Sequence, residues 1–345
     1  MSSLAPAAAK EPKSLSAPRL PLRDIAIKGG IFILLAVLIA TFQYHEPAFL
    51  RVANIFSILQ GVAIVALLGI GVTVSCAVGG FDLSVGALAA LSQMAAAYIL
   101  IVLGGSAYEA VAGALAIGVL VGLLNGLLIV GLRVPDLLAT LGTLFLLAGA
   151  QLIPTGGRSI APGMALLDGS SATGSFTEGF LMLGRYRVGG VVPVPVIILA
   201  VVGLAFWFLM ERTRWGRVFY AVGGSETAAH LAGAPTKLYR VSAYVVSATI
   251  ASLGGILLAA RIGRGDVSAG NSLMLDAVAA SLIGYAVLGA NRPNVLGTVV
   301  GAVFVGVLLN GLTMLNAPYY LQDFVKGAVL IGALAVTFGL SRRSA

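Results

Sequence analysis

Residues 52–81 read VANIFSILQGVAIVALLGIGVTVSCAVGGF, a run of 30 residues that contains no Asp, Glu, Lys or Arg. A helix needs about 20 predominantly apolar residues to cross the hydrocarbon core of a bilayer, and this run exceeds that length. It does not show the alternation of apolar and polar residues that is typical of membrane β-barrels. The stretch therefore predicts a membrane-spanning helix.

Nine more stretches lack a charged residue, at 29–45, 83–108, 110–132, 137–157, 188–210, 241–260, 277–291, 293–322 and 327–341. The chain of 345 residues is 59% hydrophobic and 10% charged, with a mean hydropathy of +1.02. Such a composition excludes an ordinary soluble enzyme and a disordered protein. It predicts an all-α membrane protein with about ten transmembrane helices, at roughly 27–43, 55–77, 82–103, 107–131, 134–154, 190–210, 239–261, 274–290, 295–315 and 319–340.

The distribution of basic residues predicts the orientation of the chain. Cytoplasmic loops carry an excess of Lys and Arg, and with the N-terminus inside, 14 of the 21 basic residues are cytoplasmic. We therefore expect both termini inside, a disordered basic tail at 1–24 and a single transmembrane domain at 25–345. The net charge of +8 is interpreted as a topology signal, and no nucleic-acid partner is expected.

Two short motifs occur twice at nearly the same spacing. DLSVG at 82–86 recurs as DVSAG at 266–270, and LLNGL at 123–127 recurs at 308–312. The offset maps predicted helices 2–5, about 55–155, onto predicted helices 7–10, about 239–340. It steps over five spans, an odd number, so the second copy must be inverted. Inverted repeats are typical of transporters.

Polar residues inside the spans are candidates for a substrate pathway, because they are costly in lipid unless they face partners or a water-filled cavity. The candidates are Gln60, Gln93, Asn125, Gln151 and Asn310. The alternative for each is a hydrogen bond between helices. Asn125 and Asn310 are favoured because both copies of the repeat contain them. Asp82 and Asp266 are predicted to cap helices, and Asp323 is predicted to pair with Lys326.

The longest inner loop, 211–238, contains a short predicted helix at 225–231. Ser225 is a candidate N-cap, and Gly233 is a natural C-terminal stop. A short helix on the cytoplasmic face suits docking into a partner. The alternative is a solvated loop whose arginines only orient the chain.

Several motifs, in order, carry a family resemblance. They are GGFDLSVG (79–86), NG (125–126), ATLGT (139–143), GR (216–217), AVGG (221–224), AAHLAG (228–233), NGL (310–312), YLQ (320–322) and VKG (325–327). This series resembles the permease subunits of bacterial ATP-binding-cassette importers for simple sugars, the ribose-type branch that also includes autoinducer-2 permeases. The resemblance extends from about residue 50 to 340. Glycine is less frequent at 283–293 than in the family, and Ser225 stands where the family usually has Asn, so the solute stays open.

The resemblance implies a permease in the bacterial cytoplasmic membrane and three protein partners. These are a cytoplasmic ATPase subunit, a periplasmic or lipid-anchored sugar-binding protein, and a second permease copy, identical or different. The segment that would meet the ATPase contains Arg217, Gly223, Gly224, Ser225, Glu226, Ala228, Ala229 and Gly233. The chain lacks G-x-x-x-x-G-K-[ST], so ATP-Mg is expected on the partner and no cofactor on this chain.

Two other functions remain as alternatives. A stand-alone ion-coupled transporter would show acidic residues in mid-membrane, and only Glu109, Asp276 and Asp323 lie near spans. A membrane enzyme would need a nucleophile, a base or a metal cluster. The chain has one cysteine, Cys76, and two histidines that the predicted topology places on opposite sides of the membrane, so neither a catalytic histidine pair nor a metal site is expected.

Overall fold

The computed structural model describes residues 22–286 and 292–341. Most of the predicted N-terminal tail, and part of the stretch 283–293, lie outside the described residues. The helices are α1 Leu22–His45, α2 Val52–Ala77, α3 Val85–Ile101, α4 Ala107–Gly126, α5 Asp136–Ala150, α6 Glu178–Arg185, α7 Val194–Arg212, α8 Arg214–Gly224, α9 Glu226–Leu231, α10 Thr236–Ile262, α11 Ala269–Ala286, α12 Val295–Met314 and α13 Tyr319–Ser341. A π-helical turn, Leu127–Gly131, extends α4.

Six helices in the described part of the chain are long and apolar enough to cross a membrane. They are Val52–Ala77, Ala107–Gly131, Asp136–Thr155, Val194–Arg212, Thr236–Ile262 and Val295–Met314. Two shorter helices, Gly29–His45 and Val85–Ile101, are also apolar. The predicted class, an all-α membrane protein, is confirmed. A helix lies in each of the ten predicted segments, but the number of crossings stays a prediction.

The centre of the molecule is formed by α2 and α10, which pack on each other and on helices of both predicted repeats. Small residues allow these close approaches, as expected for helices in lipid. Gly118 and Gly122 of α4 face α10, and Gly297 and Gly301 of α12 face α11. A side chain at any of these four positions would meet the backbone of the neighbouring helix.

The packing of the helices follows the predicted repeat. The contact between α4 and α10 corresponds to that between α12 and α2, and the contact between α3 and α4 corresponds to that between α11 and α12. Gly86 and Gly270, which are equivalent at an offset of 184, meet where α3 crosses α11. These correspondences are those that two similar halves would produce.

Both α3 and α11 begin inside the helix bundle rather than at its end. The segment before α3 returns along α10, because Asp82 bonds to Ser247 near the middle of that helix. The segment before α11 returns along α3, because the Arg264 carbonyl accepts a hydrogen bond from Gln93 near the middle of α3. We call 78–84 and 263–268 the two lead-in segments.

The two ends of the bundle carry different connections. One end, called the α9 end, carries α8 and α9. The opposite end, called the α6 end, carries residues 151–193 with α6 and a hairpin of β1 Arg187–Val188 and β2 Val192–Pro193. Backbone hydrogen bonds of 2.9 and 2.8 Å between Ile160 and Gly265 join this region to the second lead-in segment.

Candidate functional site

The segment α8–α9 is built from capped short helices, and the predicted helix at 225–231 is present as α9. Thr213 accepts a hydrogen bond from the Gly216 N–H at 3.4 Å and caps α8. Ser225 accepts from the Ala228 N–H at 3.2 Å and caps α9. Gly233 adopts a φ of +85° just beyond α9, a conformation that glycine adopts without strain.

One face of this segment rests on the turn that follows α2. Gly223 lies so close to Ala77 and Gly79 that a side chain there would meet their backbone atoms, whereas one at Gly224 would meet open space. Gly79 itself has a φ of +79°, so a larger residue would strain the turn. Backbone therefore packs on backbone at this junction, and only Gly223 of the predicted glycine pair takes part in it.

A chain of polar contacts joins α9 to α10 and α5. Arg240 donates to Glu226 Oε2 at 2.8 Å and to Asp136 Oδ1 at 2.9 Å. Tyr244 donates to the second oxygen of Asp136 at 2.8 Å. Asp136 lies in the first turn of α5, where a carboxylate complements the helix dipole. We call Glu226, Arg240, Asp136 and Tyr244 the arginine junction. Asp136, Arg240 and Tyr244 were not predicted from the sequence, because Asp136 lies 104 residues before Arg240.

The same segment is also joined to the connection between α11 and α12. Tyr220 of α8 donates to the Pro293 carbonyl at 2.8 Å, and Arg292 pairs with Glu211 at 2.6 Å. The Arg292 guanidinium lies 4.6 Å from the centre of the Tyr220 ring. Burial and the Glu211 carboxylate raise the pKa of Tyr220 to about 12, so the hydroxyl stays protonated and can donate. The α8–α9 segment thus contacts both predicted repeats.

The outer face of the segment is open. Arg217, Ser225, Ala228 and Gly233 are exposed, while Ala229 is buried against the bundle. Leu231 at the end of α9 is 82% exposed. An exposed leucine beside exposed small residues provides an apolar contact for a partner. The sequence alone predicted no role for Leu231.

The first lead-in segment is held by a buried polar network. Asp82, fully buried, accepts from the Ser84 N–H and hydroxyl and from the Ser247 hydroxyl at 2.6–2.9 Å. Asn125 donates to the Ser84 hydroxyl at 3.1 Å and accepts from Thr143 at 2.7 Å. A buried carboxyl group needs such partners. Asp82 lies three residues before α3 and forms a local turn with Ser84 rather than capping the helix directly, and Asp266 forms the same turn with Ser268 before α11.

Two of the predicted pathway residues hold the second lead-in segment. Gln93 donates to the Arg264 carbonyl at 3.1 Å, and Gln151 donates to the Val267 carbonyl at 3.3 Å. Non-helical backbone at membrane depth is tolerated only where the protein satisfies its polar groups. Both side chains are buried, and in this structure they meet that requirement.

The remaining predicted pathway residues are Asn310, which lies on the wall of a cleft, and Gln60, which precedes the cleft residue Gly61. Asn310 exchanges two hydrogen bonds with Asn54, at 2.9 and 3.1 Å, and lines a cleft between α2 and α12. Gln60 is half-buried on α2. Lys326 lies 3.5 Å from Asp323, as predicted, but it makes a closer ion pair of 2.7 Å with Asp276 of α11.

Within the described ranges, no group of three or more His, Cys, Asp or Glu side chains could hold a metal ion. In the same ranges, the ion pairs between separate elements lie beside α8 and α9 and between α11 and α13.

Comparison with known proteins places this geometry in a family. Residues 54–334 match the model of the branched-chain amino acid transport system / permease component. The chain is 36% identical over 306 residues to the ribose import permease protein of Escherichia coli (strain K12), covering 88% of this chain and 91% of that one. In the same strain, the D-allose transport system permease protein is 31% identical, with 90% and 91% covered. The galactose/methyl galactoside import permease protein is 31% identical, with 90% and 93% covered. No solved structure matches the chain.

Proposed function

Because the chain belongs to the family of branched-chain amino acid transport system / permease components, we propose that it forms the translocation pathway of an ATP-binding-cassette importer for a simple sugar. The solute would be a pentose, a hexose or a related polyol. Relatives named for ribose, allose and galactose support the sugar class. Permease subunits are not themselves enzymes, and the chain is a multi-pass protein of the inner membrane.

The proposed topology has ten crossings with both termini in the cytoplasm. The α9 end is then cytoplasmic and the α6 end faces outward. The two similar turns at Asp82 and Asp266 support an inverted repeat of about 55–155 and 239–340. The chain enters the Asp82 turn from the α9 end and continues into α3. It enters the Asp266 turn from the α6 end and continues into α11. The residues from 25 onward would form one transmembrane domain.

The loop 211–238 would couple this subunit to its ATPase. The observation that carries this proposal is that the α8–α9 segment contacts the turn after α2, the connection before α12, and Arg240 of α10, which in turn binds Asp136 at the start of α5. A displacement of this segment would therefore move helices of both repeats together. Arg217, Ser225, Glu226, Ala228 and Leu231 would present the surface to the ATPase, which would bind ATP-Mg.

A sugar-binding protein would deliver solute at the α6 end, and a second permease copy would complete the pathway. The ion-coupled alternative keeps one supporting observation, since Asp276 is buried against Lys326 within the span. An acidic residue at that depth is typical of ion-coupled transporters.

Purification of the tagged chain from its native membrane separates the two functions. We expect a stoichiometric ATPase subunit and vanadate-sensitive ATP hydrolysis in the purified complex. A chain that purifies alone and moves solute in liposomes down a proton or sodium gradient would contradict the importer and support the alternative.

A further inference from the structure

The cleft between α2 and α12, called the α2–α12 cleft, is a cavity of about 240 Å³ bordered also by α10 and α11. Its wall runs from Ser57 to Val65 on α2 and from Val305 to Thr313 on α12. Each of these stretches corresponds to about 12 Å of helix. Val65 and Val305 lie at the middle of their helices, so the cleft reaches from the α6 end to half the depth of the bundle.

The corresponding interface of the other repeat, between α4 and α10, packs closely at Gly122. An added Cβ at Gly122 of α4 would lie 2.5 Å from the Val245 Cα of α10. At Gly306 of α12, one residue before the position that corresponds to Gly122 at an offset of 185, it would first meet the Val62 side chain of α2 and would lie 3.9 Å from the Val62 Cα. The Val62 side chain thus stands between α12 and α2, whereas α4 and α10 pack backbone to backbone.

An ion pair lies at the deep part of the cleft. Asp276 lines the cleft. The next residue, Ala277, lies beside Gly69, which is one turn beyond Val65 on α2. The Ala277 carbonyl oxygen is 3.3 Å from the position that a Gly69 Cβ would take. Lys326 lies 2.7 Å from Asp276, and both side chains are about 10% exposed. The carboxylate is therefore held in place by one partner while its residue faces the cavity.

Two hydrogen-bond donors line the cleft nearer its mouth. Arg261 lies one residue before the end of α10, and its guanidinium passes over Gly61. In the parts of the chain that the structure describes, this guanidinium has no hydrogen-bond or ion-pair partner. The Asn310 amide uses one N–H on Asn54 and keeps a second N–H free for the cleft.

We propose that the α2–α12 cleft is a binding subsite for a neutral polyhydroxylated solute. Asp276 accepts from a hydroxyl at the deep end, and Arg261 and Asn310 donate to hydroxyl oxygens nearer the mouth. A hydroxyl both donates and accepts, so it matches a wall that carries a carboxylate, a guanidinium and an amide. This inference rests on the proposed function, since it names the residues that meet the sugar.

An anionic ligand fits the cleft less well. The Asp276 carboxylate would repel a second negative charge at the deep end. A lipid phosphate would reach Arg261 at the level of the head groups but not Asp276, which lies seven residues along α11 from Ala269. A neutral solute that enters from the α6 end satisfies all three side chains.

Protection of an introduced thiol tests occupancy directly. Cys76 is the single cysteine, so a Cys76→Ser chain that carries Ser57→Cys has one reactive thiol in the cleft. In native membranes, we expect at least one of D-ribose, D-allose and D-galactose to slow its alkylation several-fold. Tyr108→Cys is the control, because Tyr108 is 87% exposed outside the cleft, and its alkylation should not change. Protection that depends on anionic lipid and not on sugar would overturn the proposal.

Transport kinetics give the second test. In the double variant Asp276→Asn with Lys326→Gln, which leaves no buried unpaired charge, we expect KM for the transported sugar to rise about 5-fold, because an amide oxygen accepts a hydroxyl hydrogen bond less strongly than a carboxylate does. Asp323→Asn is the matched control, because Asp323 also lies near Lys326 but is 70% exposed. Failure of the wild-type complex to transport any of the three sugars would count against the proposed function. Wild-type transport with unchanged KM in the double variant would overturn this inference alone.

Discussion

Arg240 joins three helices through one guanidinium, and we predict that it is needed for coupling. Arg240→Gln removes two ion pairs and leaves Asp136 with only the Tyr244 hydroxyl. A charged hydrogen bond contributes about 1.5–3 kcal/mol, so we expect ATP-driven uptake to fall about 10-fold or more, with normal amounts of protein in the membrane. The measurement is uptake per ATP hydrolysed.

Lys237→Gln is the control for this prediction, since Lys237 is an exposed cation one turn away on α10. An equal loss of uptake in both variants would show that positive charge at this surface matters, and not the arginine junction.

Asn125 is predicted to stabilise the fold more than it contacts solute. Asn125→Ala leaves the Thr143 hydroxyl without its acceptor and the Ser84 hydroxyl without its donor. Because both groups are buried, we expect about 1–3 kcal/mol of lost stability, measured as a lower Tm in detergent. Asn271→Ala, at an exposed position of α11, should leave Tm unchanged. A normal Tm with a raised KM would return Asn125 to the solute pathway.

The polar residues in the spans were predictable from the sequence, but the role of each one was not. An amide in an apolar run is equally compatible with solute binding and with support of the backbone, because both require burial and hydrogen bonds. Gln93 and Gln151 differ from Asn310 only through the segments that the fold brings to them. The arginine junction could not be predicted, since nothing in the sequence relates Asp136 to a residue 104 positions later.

At the scale of the element, the α8–α9 segment makes a prediction that two neighbouring glycines can test. Gly223→Leu would force the segment away from Ala77 and Gly79, whereas Gly224→Leu would project into open space. We expect uptake to be lost in the first variant and largely retained in the second, with both inserted normally. Uptake assays with surface quantification of the tagged chain measure this. Equal behaviour of the two variants would contradict the junction at Gly223.

Helices were predictable where composition alone decides them, and less so where it does not. The uncharged stretch 52–81 predicted α2, and the capping residue Ser225 predicted α9. The sequence placed helices at 82–103 and 274–290, whereas α3 covers Val85–Ile101 and α11 covers Ala269–Ala286. The first lead-in segment is largely apolar and resembles the start of a helix, because a distant side chain, Thr140, satisfies part of its backbone. The start of α11 was placed too late, because polar and charged residues precede it. The helices α6 and α8 were not predicted, because both are short and lie outside the long uncharged stretches.

At the scale of the whole molecule, the proposed topology can be tested by labelling single introduced cysteines. In a Cys76→Ser chain, Asp168→Cys lies on the exposed α6 end and His230→Cys on the exposed α9 end. A membrane-impermeant reagent added to intact cells should label the first and not the second. Labelling of both should follow permeabilisation. The reverse pattern in intact cells would invert the orientation and place the α8–α9 segment outside.

The two lead-in segments have a consequence for how the protein is made. Asp82 can bind Ser247 only after the ribosome has added 165 more residues. The carbonyls of Arg264 and Val267 bind Gln93 and Gln151, which are synthesised long before them. Each half of the chain thus completes the other during synthesis. We therefore expect the first half to stay incompletely folded until α10 enters the bilayer. A ribosome that stalls between the halves would leave a buried carboxylate without one of its partners, and such fragments should be short-lived substrates of membrane proteases.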